Sequence, residues 1–516
     1  MNLVDRFLDN ACPDHHVRGL PDHARARHTA LRLLAHDPGI AGASLATSIV
    51  CGDLAAVERA LAERPELARL KSSAPAPGRS GGGGSGDLFS DLGPKGWEPL
   101  LYLCFTRLPL PAVDQNAVPI ARLLLDHGAD PTVYFMAGSS RYTPLVGAIG
   151  EGEEDRPAHP RRNELVDLLL EHGADPYDNQ VIYNLGFHGK AQWFLERSYR
   201  RALALGRKSD WDDPEWSMLN MGGYGSGARW QLEHAIKHGD ARLVEWCLAH
   251  GANPSSPPAL DPRFPKLSLY EFAVHAEQRE IAELLVRYGA ERKEVTRTPL
   301  EEFVAACLRL DRPAVERDLA VHPEYLRAPE PLLTAARYDR ADVVEYLLDL
   351  GMSPEVENAE KERPLHIAGY RNSLRVARLL IERGAEIDPR EANWMNTPIS
   401  AASYYQHREM IDLLTPHSRD VWELVYSGKL ERLREVLRER PERARVAWEN
   451  QTPLMWLPPE EEQRALEVVE LLLEHGADPS LRDRAGMTAA DRAERLAMFR
   501  VAARLREAEA RRAVAQ

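Results

Sequence analysis

The sequence predicts an all-α fold in which short helix-turn-helix units stack into a solenoid. One pattern is written twice between Pro331 and Pro389, and the glycines that close the two copies, Gly351 and Gly384, are 33 residues apart. In each copy a short apolar helix leads to a second helix that ends in a Leu-Leu run before its glycine. Glycine at this position adopts the left-handed backbone conformation that terminates a helix. A single unit repeated at a fixed period is the signature of a repeat protein, in which each unit packs on its neighbours.

The same ending recurs along the chain and supports the period. Glycines follow Leu-rich runs at Gly128, Gly173, Gly251, Gly289, Gly351, Gly384 and Gly476, several of them in Gly-Ala-Asp-Pro form. The second copy begins Pro364-Leu365-His366-Ile367-Ala368, which resembles the Thr-Pro-Leu-His-x-Ala motif of the ankyrin repeat. The resemblance implies an ankyrin-repeat solenoid of about a dozen helix-turn-helix units joined by short hairpin loops.

The chain divides into five segments on these signals. Residues 1–43 are predicted to form an N-terminal helical cap, with helices around Leu3–Leu8 and Ala24–Ala35. Residues 44–176 hold ankyrin repeats with a Gly/Ser-rich loop at 75–86, and residues 228–486 hold further repeats. Residues 177–227 form an aromatic-rich insertion, and residues 487–516 a C-terminal capping repeat and helix.

The charge, the cysteine content and the hydropathy of the sequence limit which partners and which cellular compartment are expected. Lys and Arg total 65 against 79 Asp and Glu, a formal net charge of −14, which argues against nucleic-acid binding. Five scattered cysteines without a paired motif predict reduced thiols and a cytoplasmic protein, with no zinc site. The sequence contains no apolar run that is long enough to predict a membrane-spanning helix. We expect no cofactor.

The insertion interrupts the period and is rich in aromatic residues. In repeat arrays, insertions often gather on the binding face. We therefore treat five of its residues as secondary binding candidates: His188, Trp193, Trp211, Trp216 and Tyr224. The alternative is that these side chains fill an irregular gap between repeats. The wording of the segment also resembles a subgroup of bacterial ankyrin-repeat proteins, a resemblance that implies no activity.

A Tyr, Arg and Trp-rich groove is the main binding prediction. Ankyrin folds bind chiefly through hairpin tips and the exposed ends of inner helices, so we threaded the chain on the repeat register. Tyr and Arg are enriched at binding hot spots, and arginine can grip a carboxylate with two hydrogen bonds. The predicted binding residues are Arg309, Arg337, Tyr338, Tyr370, Arg371, Trp394, Asn396, Tyr404, Tyr405, Tyr426, Trp448 and Trp456.

These residues predict a cytoplasmic scaffold that binds a protein partner, one whose acidic or phosphorylated groups would face the arginines. The alternative is an ankyrin-framed enzyme or small-molecule binder, for example one acting on carbohydrate, with a pocket between the insertion and the groove. Its carboxylates would come from Glu391 and Glu449, or from Asp212, Asp213 and Glu215. Neither a phosphate-binding loop nor a nucleophile motif occurs in the context it requires, so we predict no catalytic residue.

Overall fold

The fold is all-α, as the sequence predicts. The computed structural model describes residues 2–13, 23–69, 96–137, 140–152, 156–186, 191–261, 266–405, 407–448 and 450–515. The predicted Gly/Ser-rich loop at 75–86, together with His188 and Glu449, lies outside these residues. A short antiparallel hairpin, β1 (Phe135–Ala137) with β2 (Ser140–Tyr142), is the one sheet in the described part of the chain, and Phe135 pairs with Tyr142.

Helices fill almost all of the remaining ordered secondary structure. Those before residue 297 are α1 (Leu3–Ala11), α2 (His23–His36), α3 (Leu45–Cys51), α4 (Leu54–Glu63), α5 (Pro99–Phe105), α6 (Pro111–Asp126), α7 (Pro144–Ile149), α8 (Arg162–Glu171), α9 (Asn179–Gly186), α10 (Gln192–Ala204), α11 (Gly227–His238), α12 (Ala241–Ala249), α13 (Leu269–His275) and α14 (Arg279–Arg287). Those after it are α15 (Pro299–Leu308), α16 (Arg312–Val321), α17 (Glu330–Arg337), α18 (Ala341–Asp349), α19 (Pro364–Arg371), α20 (Leu374–Glu382), α21 (Pro398–Tyr404), α22 (Arg408–Leu414), α23 (Val421–Tyr426), α24 (Leu430–Glu439), α25 (Glu462–Glu474), α26 (Ala489–Arg495) and α27 (Phe499–Ala515).

The chain folds as two compact units. The first contains the described residues within 1–19, 33–82 and 91–296. The second contains residues 297–515 together with residues 23–32, which form the first part of α2. The segment predicted as one N-terminal cap is therefore shared between the two units.

The second unit is a two-row stack of helix pairs. The first helix of each pair packs beside the next one, so α15, α17, α19 and α21 form a row of inner helices. The second helices α18, α20 and α22 form a row of outer helices, which α16 begins. Buried Leu, Val, Ala and Ile side chains between the rows make the core from Phe303 to Leu414, and a second cluster continues it from Val421 to Leu505.

Local chemistry explains why the helices are short. Gly351 has φ +95° and Gly384 has φ +79°, the left-handed geometry that ends α18 and α20. The amides of the following residues, Met352 and Ala385, donate back to carbonyls of the last helical turn at 3.1 and 2.9 Å. Proline occupies the first turn of α19 and of α21, where its missing N–H costs nothing.

His366 shows what the ankyrin-like motif contributes. Its side chain is fully buried, and its Nδ1 accepts from the Arg363 amide at 3.1 Å. Its Nε2 lies 3.0 Å from the Pro389 carbonyl and 3.1 Å from the Asn396 carbonyl. Burial lowers the pKa of His366, so the neutral ring ties the start of α19 to the next hairpin.

Candidate functional site

Three consecutive inner helices of the second unit end in tyrosine and arginine. Arg337 and Tyr338 close α17, Tyr370 and Arg371 close α19, and Tyr404 and Tyr405 close α21. Because these helices pack side by side, the structure brings together six of the residues that the repeat register assigns to the groove. We call them the Tyr–Arg surface. Arg309 occupies the equivalent position at the end of α15 and is exposed.

Three of the four tyrosines on this surface form a contiguous aromatic cluster. The rings of Tyr370 and Tyr405 are 6.1 Å apart and those of Tyr404 and Tyr405 are 4.9 Å apart, both edge to face. The Asn396 amide donates to the Tyr370 hydroxyl at 3.2 Å. Partial burial raises the pKa of Tyr370, so its phenol is neutral at physiological pH. The cluster therefore offers flat rings with polar edges, the chemistry that is enriched at binding hot spots.

The two arginines beside this cluster lack a neutralising partner. Arg337 and Arg371 are both exposed, and within the described residues neither forms an ion pair. The pKa of Arg371 is lowered, first by partial desolvation of its side chain and then by the positive charge of Arg337. Two guanidinium groups in this arrangement attract a carboxylate or phosphate group, which can accept paired hydrogen bonds from each.

Glu391 has a structural role in the neighbouring loop. Its side chain is 1% exposed, and its carboxylate accepts from the amides of Asn393 at 2.7 Å, Trp394 at 2.8 Å and Asn396 at 2.9 Å. The loop that these bonds hold presents Trp394, whose side chain is 75% exposed. The Glu391 carboxylate is thus committed to the loop.

Replacing Glu391 with alanine is expected to leave those three amides without their acceptor and to lower the free energy of unfolding by about 1–2 kcal/mol. Urea unfolding measures the loss, and hydrogen exchange of the Trp394 amide locates it. Glu360→Ala is the matched control, because Glu360 is an exposed carboxylate in the preceding hairpin. Equal unfolding midpoints for the two variants would contradict the structural role.

The far end of the predicted groove is occupied by the chain itself. The Arg25 guanidinium lies 5.2 Å from the ring centroid of Tyr426 and 5.3 Å from that of Trp456. Trp456 also donates from Nε1 to Gln451 at 2.6 Å. Trp448 stays 53% exposed on the neighbouring hairpin. Tyr426 and Trp456, predicted as open groove residues, therefore face residues of the same unit.

Most of the aromatic side chains of the insertion pack inside the first unit and are not exposed at its surface. Trp211 is 2% exposed and Trp216 is fully buried, with their rings 4.9 Å apart and edge to face. Neither can contact a partner in the folded state, so the structure corrects their assignment as surface binding candidates. Tyr224 packs on the ring of Trp230 at 5.4 Å. Trp193 is half-buried between Arg162 at 4.7 Å and Arg197 at 5.1 Å.

The carboxylates considered for an enzyme also have local partners. Glu215 accepts from Ser226 at 2.6 Å and Asn253 at 2.6 Å, and also from Ser256, which fixes the insertion to the following loop. Asp212 pairs with Lys208 at 2.5 Å. Asp213 accepts from the Ser217 amide at 2.9 Å. These contacts explain the acidic cluster of the insertion by structure alone.

His234 and His238 are four residues apart on α11, a spacing that can hold a metal ion, but His234 is a packed imidazole. Its ring lies 4.0 Å from that of Trp230, and its Nδ1 is 2.9 Å from the Trp230 carbonyl. Burial lowers its pKa to about 4. No group of three His, Cys, Asp or Glu side chains that could hold a metal ion occurs in the part of the chain that the structure describes.

Sequence reasoning missed a polar cleft of about 680 Å³ in the second unit. Four arginines, at positions 390, 419, 432 and 443, are among its lining residues. Arg390 pairs with Asp420, Arg432 with Glu435 at 2.8 Å, and Arg419 with Glu439 at 3.6 Å. Most of its positive charge is therefore neutralised within the cleft and at its rim, in contrast to the Tyr–Arg surface.

Two family models match repeats of the second unit, and some known proteins resemble part of this chain. The family model described as "Ankyrin repeats (3 copies)" matches residues 304–391 and 332–425, and that described as "Ankyrin repeat" matches residues 449–484. The chain is 33% identical to Potassium channel GORK of Arabidopsis thaliana over 110 residues, which is 21% of this chain and 13% of the channel. It is 34% identical to Potassium channel KOR2 of Oryza sativa subsp. japonica over 83 residues, 16% of this chain and 11% of that channel.

A third relative, Serine/threonine-protein kinase 12 of Arabidopsis thaliana, is 30% identical over 74 residues, 14% of this chain and 16% of the kinase. The chain thus spans only a small part of each relative, and the relatives are plant proteins, so the bacterial resemblance of the insertion stays a prediction. No described helix is both long and apolar enough to cross a membrane. The matched repeats lie in the second unit, which also carries the Tyr–Arg surface, and residues 304–425 and 449–484 are ankyrin repeats.

Proposed function

We propose that the protein is a binding scaffold whose second unit captures a protein partner through the Tyr–Arg surface. Ankyrin repeats are typical of protein-binding scaffolds, and the fold leaves partner choice to exposed side chains. The observation that carries the proposal is the pairing of Arg337 and Arg371, which have no acidic partner among the described residues, with a cluster of three tyrosine rings.

The partner that fits this surface carries acidic or phosphorylated groups next to an apolar or aromatic side chain. A carboxylate or phosphate would neutralise the two arginines, which repel each other in the unbound protein. The rings would cover the adjacent apolar contact area. Because the protein carries a net charge of −14, attraction of an acidic partner has to be local, which confines productive binding to this surface.

Loss of both arginines should remove the partner. Full-length protein with Arg337→Ala and Arg371→Ala is expected to bind it at least about 30-fold more weakly, because hydrogen-bonded charge contacts at a hot spot each contribute about 1–2 kcal/mol. Affinity capture with quantitative mass spectrometry identifies acidic or phosphorylated partners, and titration with each purified partner gives the ratio.

The matched control replaces two arginines on the outer helices, Arg317 of α16 and Arg378 of α20. Both are exposed and, in the described part of the chain, without an ion pair, so the control makes the same change in net charge. It should retain the partner. Equal capture by the two double variants would place binding elsewhere on the protein.

We further propose that the protein works in the cytoplasm. Its five cysteines, Cys12, Cys51, Cys104, Cys247 and Cys307, are all buried and free. Burial raises the pKa of each thiol, to about 11 for Cys51, which keeps it protonated and unreactive. Buried reduced thiols suit a reducing compartment.

A further inference from the structure

Residues 23–32 occupy a defined seat on the second unit, to which they belong. Arg25 is 2% exposed, with its guanidinium near the faces of Tyr426 and Trp456 at 5.2 and 5.3 Å. Aromatic rings attract a cation through their electron-rich faces, and the attraction strengthens when water is excluded. The two aromatic residues therefore form a receptor for one arginine.

A second arginine fixes the orientation of the same helical stretch. Arg32 donates from Nε to the Leu496 carbonyl at 2.9 Å and from Nη1 to the Pro459 carbonyl at 2.8 Å. Leu496 caps the C-terminus of α26, where the unsatisfied carbonyls carry partial negative charge. Recognition of Arg32 thus uses main-chain atoms, which hold their positions whatever the surrounding side chains are.

The seat has the opposite charge preference to the Tyr–Arg surface. Glu460 favours the charged forms of Arg27 and His28, and Glu462 favours that of Arg32. Desolvation is nevertheless the largest effect on all three groups and lowers the pKa of each, that of Arg32 to about 10. The seat therefore recognises arginine through the ring faces of Tyr426 and Trp456 and through two main-chain carbonyls, and the nearby carboxylates offset part of the cost of desolvation.

The occupant is held by few strong contacts. The apolar side chains that it buries are small, Ala26 and Ala30, and its largest buried side chain is that of Arg25. Arg27 and Arg32 form no ion pair with another described residue. Arg27 is repelled by Arg408, and Arg32 is repelled by Arg25. A segment that buries little apolar surface and carries mutually repelling charges can leave without unfolding the repeats beneath it.

We infer that the surface formed by Tyr426, Trp456 and the Leu496 and Pro459 carbonyls is a receptor for an arginine-bearing helix. Residues 23–32 are its resident occupant, and a protein partner presenting such a helix displaces them. This inference rests on the proposed scaffold function and adds a second, oppositely charged surface to it. Binding of the partner helix then frees the N-terminal segment, so occupancy regulates exposure of that segment.

The test uses the full-length protein and a labelled peptide with the sequence of residues 20–36. In the wild-type protein residues 23–32 block the seat, whereas the Arg25→Ala substitution weakens the attachment of these residues to it. Fluorescence anisotropy is expected to show the peptide binding at least tenfold more tightly to the Arg25→Ala protein than to wild type. Hydrogen exchange of residues 23–32 should accelerate in the same variant.

Three controls make the result specific. A peptide carrying Arg25→Ala should not bind, and adding Tyr426→Ala to the Arg25→Ala protein should abolish binding. Arg59→Ala, an exposed arginine on α4, should behave as wild type. Arg32→Ala provides a second way to loosen the segment, and circular dichroism verifies that each variant is folded.

Two results would overturn the inference. Faster exchange of residues 23–32 without tighter peptide binding would show that the surface does not recognise the helix. Unchanged exchange and no peptide binding in both the Arg25→Ala and Arg32→Ala proteins would show a permanently attached segment. Neither result would contradict the proposal for the Tyr–Arg surface, because the peptide contacts none of its residues. Conversely, loss of the partner in the Arg337→Ala, Arg371→Ala variant would not change the result of the peptide assay.

Discussion

Replacing Trp216 with alanine is expected to lower the free energy of unfolding of the first unit by about 3–5 kcal/mol, the usual cost of emptying a buried tryptophan site. Trp216 is fully buried, and its ring packs edge to face against Trp211 at 4.9 Å and Trp246 at 6.3 Å. Alanine would remove these ring contacts and leave a cavity, because the rigid indoles around it cannot close the space.

Urea unfolding followed by tryptophan fluorescence and by hydrogen exchange of residues 191–261 measures this loss. Trp394→Ala is the control, since the Trp394 side chain is 75% exposed and should change stability by less than about 0.5 kcal/mol. A Trp216→Ala protein with wild-type stability would mean that the insertion is not part of the core. Its aromatic residues would then again be candidates for ligand contact.

The insertion shows where sequence reasoning reaches its limit. Aromatic richness separates an ordered segment from a disordered one, and the insertion contains the helix Gln192–Ala204. The same composition cannot distinguish rings that face a partner from rings that face each other. Once the repeat period is lost, the sequence gives no register with which to assign inside and outside. Trp211 and Trp216 were misassigned for that reason.

Where the period holds, the prediction is accurate for a physical reason. Gly351, Gly384 and His366 act within their own unit or the next, so their roles are written locally in the sequence. The groove register likewise follows from repetition, because equivalent residues of stacked inner helices must lie side by side. For this reason the register groups Arg337 and Tyr370 with their neighbours, and their role in binding stays a prediction.

The seat of residues 23–32 could not be found in this way. Arg25 and Trp456 come from opposite ends of the chain, and no repeat period relates them. The sequence contains no signal that pairs them. Contacts of this kind depend on the path of the whole chain and not on local pattern.

Glu423→Gln is expected to stabilise the second unit at alkaline pH. The Glu423 carboxyl accepts from the Ser400 hydroxyl at 2.5 Å across two repeats. Desolvation, followed by the nearby negative charge of Asp420, raises its pKa to about 7. The folded state therefore prefers the protonated acid, whereas the unfolded chain loses that proton near its ordinary pKa of 4.5. The stability that Glu423 contributes is complete below pH 4.5 and declines as pH rises through 7.

Glutamine keeps an acceptor for Ser400 and cannot ionise, so the variant avoids this decline. Relative to wild type, its free energy of unfolding should rise by about 3.5 kcal/mol between pH 4 and pH 9, since one pKa unit corresponds to about 1.4 kcal/mol. Thermal unfolding at the two pH values, with hydrogen exchange of residues 398–426, measures the difference. Glu431→Gln is the control, because that side chain is 96% exposed on α24. If the two variants showed the same pH dependence, ionisation of Glu423 would not govern the stability of these repeats.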